Sequence, residues 1–111
     1  MSYNPTFAIS FINTNTGNAI LDAGTSDLKT AKGAARNWYK NVGHAIDSFL
    51  IAGARRTQDG YDLDNIRIIM RPIDAKDDAI NMNVKLSQPD AYIKREQRLN
   101  GATVITYDDL F

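Results

Sequence analysis

Cysteine is absent from the 111 residues, which excludes disulfide scaffolds, thiolate metal sites and cysteine nucleophiles. Glutamate is nearly absent as well: of 13 acidic residues only Glu96 is not aspartate. Aspartate and asparagine favour turns and caps over helix interiors, so the bias points to a loop-rich α+β chain and away from a helical bundle. His44 is the sole histidine. One imidazole falls short of the three or four nitrogen or sulfur ligands of a zinc site, and no Gly-x-Ser-x-Gly elbow accompanies it. Long apolar runs are missing too, since the stretch from Phe49 to Ala54 is too short to cross a bilayer. No Lys or Arg precedes the first apolar stretch, so no signal peptide is expected. Net charge is also lacking: 13 basic residues balance 13 acidic ones, which excludes a polycation or an acidic nucleic-acid mimic. These exclusions leave a single domain over residues 1–111, cytoplasmic, without membrane segment or cofactor motif.

The zero conceals a dipole. Through Thr57 the basic residues are Lys29, Lys32, Arg36, Lys40, Arg55 and Arg56, against Asp22, Asp27 and Asp47, a balance of 6 − 3 = +3. From Gln58 onward it is 7 − 10 = −3.

Phe7, Ile9 and Phe11 alternate with Ala8, Ser10 and Ile12 and predict a strand. The turn formers of residues 13–18 then lead into a second strand at Ala19-Ile20-Leu21. Thr25 or Ser26 is placed to cap a helix running to about Val42, with Gly43 as its stop. In that helix Leu28, Ala31, Ala35, Trp38, Tyr39 and Val42 share one arc. Lys29, Lys32, Arg36 and Lys40 share the opposite one, within about 80° of each other. Ile46, Phe49, Leu50, Gly53 and Ala54 keep helical spacing and predict a second helix, with a buried strand at Phe49-Leu50-Ile51 as the alternative. A strand follows at residues 66–71, ended by Pro72, and another at residues 80–87. Pro89-Asp90 opens a short charged helix to Leu99, stopped by Asn100-Gly101, and Val104, Ile105 and Tyr107 form a last strand. The expected order is β-β-α-α-β-β-α-β, an antiparallel sheet with helices packed on one face.

Two short motifs bear on chemistry. At a strand start the paired acids of Asp62-Leu63-Asp64-Asn65 would point to one side of the pleat, about 7 Å apart. With Asp77 or Asp78 they have the composition of a Mg²⁺ site. Together with Asp77-Asp78-Ala79 this segment resembles the acidic motifs of RusA-type Holliday-junction resolvases, which implies Asp62, Asp64 and Asp78 as catalytic residues of a dimeric Mg²⁺ endonuclease. That family has a helix between its motifs where a strand is read here, and the same acids also serve simply to solvate a loop. The second motif, Lys29-Thr30-Ala31-Lys32-Gly33-Ala34-Ala35, is similar to the phosphate-gripping helix of double-stranded-RNA-binding domains. Lysines three apart on an exposed face suit a row of phosphates. The paired lysines at that helix start are replaced here by Asp27 and Leu28, and a merely solvated basic face fits the same pattern.

A compact Asn/Asp-rich chain in which a β-hairpin leads into an amphipathic helix also resembles small phage and mobile-element products, anti-CRISPR proteins among them. The resemblance implies a non-enzymatic inhibitor that binds a host protein or nucleoprotein complex. The basic row, with Arg55 and Arg56, is then the contact face. Direct nucleic-acid binding and virion assembly are the other interaction readings, and a homodimer is compatible with each. The residues Lys94-Arg95-Glu96-Gln97-Arg98 read as a solvated helix face, with Tyr61, Tyr92 and Tyr107 as isolated stacking candidates.

Overall fold

The strand β1 (Thr6–Asn13) is nearly continuous in apolar residues, the pattern of a strand covered on both faces. In the computed structural model, which describes residues 6–21, 25–26, 28–41, 48–58, 60–73 and 82–110, it lies in the interior of an antiparallel sheet. Its whole length pairs with β6 (Ile66–Ile73), from Thr6 opposite Ile73 to Asn13 opposite Ile66. On its other side lies β2 (Asn18–Leu21), flanked in turn by β7 (Met82–Lys85), while β8 (Thr103–Ile105) extends the sheet beyond β6. The sheet order is β7-β2-β1-β6-β8. A two-residue strand β3 (Thr25–Ser26) pairs with Ala8 and Phe7 of β1, so Thr25 and Ser26 belong to the sheet. A separate two-stranded ribbon joins β4 (Arg56–Thr57) to β5 (Gly60–Tyr61).

The class is α+β, as the periodicities predict. The helices, expected on one face, divide between both. Alternation sends Ile9, Phe11, Ile68 and Met70 to one side, where Ala35 and Tyr39 of α1 (Leu28–Asn41) complete the cluster. Ile12, Ala19 and Ile69 point to the other side and meet Ile93 of α2 (Pro89–Asn100). The cause is in β1 and β6: both carry apolar side chains at odd and even positions, and each set needs cover from water.

The second predicted helix is corrected. Residues 48–53 form turns, and Gly53 adopts φ 79°, a backbone region that favours glycine. Two buried amides hold them. Asn13 Nδ2 donates to Leu50 O at 2.9 Å and Asn18 Nδ2 donates to Phe49 O at 2.6 Å, taking carbonyls that a helix satisfies internally. The adjacent Leu50 and Ile51 are both buried, whereas Gly53 of the helically spaced set is exposed, so burial here does not follow a helical period. Residues 42–47, with Val42, Gly43, His44 and Ile46, lie outside the described residues.

Pro72 sits inside β6 instead of ending it. β8 reaches only as far as Met70, so on that side Pro72 lies at an edge and its missing N–H costs no ladder bond. Gly17 holds φ 81° and donates its N–H to Asn13 O, while its own carbonyl accepts Leu86 N–H at 2.7 Å. A Cβ there would stand 2.1 Å from Leu86 O, so only glycine lets these backbones meet. Pro89 opens α2, and Gly101 at φ 66° closes it in the left-handed conformation. The short turn of helix α3 (Tyr107–Leu110), where a strand end was expected, is held by Asp109 Oδ2, which accepts both the backbone N–H and the hydroxyl of Thr106.

Candidate binding surfaces

The basic row exists as a line along α1. Lys29, Lys32, Arg36 and Lys40 are all exposed, whereas Ala35 and Tyr39 are buried. The helix is fixed to the sheet by aromatic packing: the Trp38 ring lies 5.0 Å from Phe11 and 5.3 Å from Tyr39, centroid to centroid. Tyr39 also donates its hydroxyl to Ile66 O at 3.4 Å. Burial pushes that phenol up to about 12, with Arg67 opposing the shift and Asp109 and Asp64 adding to it. The core side of α1 is thus rigid, and the row stands on a fixed rod. Lys40 in the last turn complements the helix dipole.

Arg55 and Arg56 are exposed but belong to another element. Arg56 pairs with Tyr61 in the small ribbon, and Arg55 O accepts the N–H of Asp62. Ala54 and Tyr61 pack against the same core cluster as α1, which puts the ribbon on the α1 side of the sheet.

Asp62 and Asp64 stand in the segment before β6 and not on a strand, so the common pleat face expected of them is not formed. Asp62 Oδ1 accepts the N–H of Asp64 at 3.1 Å, the local turn bond typical of aspartate. The crevice beside it, between Asn13, Thr16, Gly53 and Asn65, holds about 30 Å³, room for about one water. Asp77 and Asp78 lie outside the described residues. Among the described residues no three His, Asp or Glu side chains gather as a metal site would require.

Sequence reasoning missed a second cationic surface. Lys94, Arg95 and Arg98 are not spread over a featureless helix face: with Leu86, Ser87, Gln88, Ala91 and Tyr92 they line an open groove of about 510 Å³. The guanidinium of Arg95 lies over the Tyr92 ring, 5.5 Å from its centroid. The signal was present, since residues 91, 94, 95 and 98 repeat at i, i+3, i+4 and i+7 and share one helix face. What the spacing lacks is the approach segment 86–88, which forms the other wall and is tied to Gly17 through the Leu86 N–H.

The two surfaces lie on opposite sides of the sheet, each carried by its own helix. No helix among the described residues is long and apolar enough to cross a membrane. No protein-family model, no curated protein and no solved structure matches this chain.

Proposed function

We propose that the protein is a non-enzymatic binding module that docks the basic face of α1 onto an anionic surface of a nucleoprotein assembly and blocks it. The observation that carries this reading is the exposed line Lys29, Lys32, Arg36 and Lys40 on a helix anchored by Trp38 and Tyr39. Cations one turn apart on a fixed rod meet a row of phosphates or carboxylates without a large ordering cost. The resemblance to phage and mobile-element interaction proteins makes a host nucleoprotein machine the partner class, with Arg55 and Arg56, exposed on the same side of the sheet, as further contacts in this reading.

The test compares the wild-type protein with a Lys29→Gln/Lys32→Gln/Lys40→Gln variant, each immobilised and offered a host nucleoprotein fraction with and without nuclease digestion. Wild type retains the assembly and the variant does not. Where phosphates are the contact, four of them make log affinity fall with log salt at a slope of about −3 to −4, and digestion abolishes retention. Retention by the variant equal to wild type overturns the reading.

A further inference from the structure

The α2 groove belongs to none of the roles assigned to α1, and its chemistry is more specific than a charged row. Lys94 and Arg98 are one turn apart, about 6 Å along the helix axis, and both are exposed on the groove side. One turn before Lys94, Ala91 contributes only a methyl group to the groove, which leaves that end of its floor open. Arg95 is laid over the half-buried ring of Tyr92, which anchors into the second core cluster. A guanidinium supported in this way is a flat, cationic platform.

The acids of α2 stay out of the groove. Glu96 is 8% exposed on the core side and its carboxylate accepts Asn100 Nδ2. Asp90, one turn before Lys94, is exposed in the first turn but does not line the groove. The result is a trough with three cations along its wall and a stacking plane at its middle.

We propose that this groove binds a single-stranded nucleic-acid segment, with Lys94 and Arg98 holding successive phosphates and a base stacked on the Arg95–Tyr92 pair. Single-strand sites combine these two elements, a cationic track and a π-surface. A duplex keeps its bases stacked inside and offers none to the platform. An acidic peptide satisfies the cations but not the plane. The site is independent of the basic row, because α1 and α2 cover opposite sides of the sheet.

The experiment is fluorescence anisotropy of the full-length protein with a labelled eight-nucleotide strand. Arg95→Gln, and separately Lys94→Gln/Arg98→Gln, weaken binding by roughly ten-fold. The Lys29→Gln/Lys32→Gln/Lys40→Gln variant stays within about two-fold of wild type, as expected for a row that does not touch the strand. An abasic strand of equal length loses as much as Arg95→Gln does. Absence of strand binding at low salt overturns the proposal, and so does equal binding of duplex or abasic strand. Full competition by an acidic peptide of equal charge overturns it in favour of a protein ligand. Loss of binding confined to the α1 variant overturns it while leaving the reading of α1 intact, so the two fail separately.

Discussion

Ile68 and Ile69 are neighbours in β6 and both almost fully buried, yet they face different interiors. Ile68 joins Phe11, Tyr39, Leu50 and Met70 in a cluster thick with aromatic and long side chains. Ile69 joins Ile12, Ala19, Ile93 and Ala102, a thinner layer with two alanines in it, bordered by half-buried Leu21, Val84 and Tyr92. Among the described residues the α1 side therefore carries the larger core cluster, and the α2 side a second, lighter one. Each helix turns its charged face outward, so the sheet carries one cationic surface on a heavily packed base and another on a lighter base. A heavily packed base suits a flat contact row, whereas a groove needs only local fixing, which Gly17 and Leu86 provide.

The largest effect tests this contrast directly. Ile68→Ala is expected to destabilise the protein by about 4 kcal/mol and Ile69→Ala by about 3 kcal/mol, because the thinner side relaxes more easily around a cavity. Urea unfolding of the pair measures both, and an Ile69→Ala cost equal to or above that of Ile68→Ala breaks the ranking.

Next comes a pH signature confined to the α1 side. The folded state holds the Tyr39 proton up to about pH 12, whereas the unfolded chain releases it near pH 10. The native state binds more protons in that window, so stability is fully present below pH 10 and falls as pH rises toward 12, by on the order of 2 kcal/mol. Tyr39→Phe removes this part of the alkaline decline, and at pH 7 it gives up the 3.4 Å hydrogen bond from the phenol to Ile66 O. An unchanged alkaline midpoint in the variant shows that the phenol is not held protonated by burial.

The smallest effect is a gain. A Cβ at Gly33 of α1 meets nothing within 4 Å, so Gly33→Ala raises stability by about 0.5–1 kcal/mol through helix propensity alone. Thermal melting reads it, and a loss in place of the gain means that something approaches α1 at that point.

Much of this architecture was legible in local pattern. The alternation of Phe7, Ile9 and Phe11 marks β1, and the opposed arcs of Ala35 with Tyr39 and of Lys29 with Arg36 mark the two faces of α1. Pro89 and Gly101 bracket α2 to within a residue of where it was expected. Over its described part, from Phe49 to Ala54, the apolar spacing misled, because helical spacing alone does not distinguish a helix from turns pinned by distant amides. Asn13 and Asn18 looked like ordinary turn residues, and nothing near them in sequence reveals partners 37 and 31 positions away.

Periodicity, capping and turn chemistry act over a few residues, and those are what the chain carried in its own order: the five strands of the main sheet order, two helices, the α+β class and the basic row. Contacts between distant segments decided the rest. They set α1 and α2 on opposite sides of one sheet, turned residues 48–53 away from helix, and brought 86–88 against α2 to wall a groove. Which carbonyl an asparagine meets, or which face of a strand a helix covers, depends on where the chain returns in space, and that is settled only when the whole core closes.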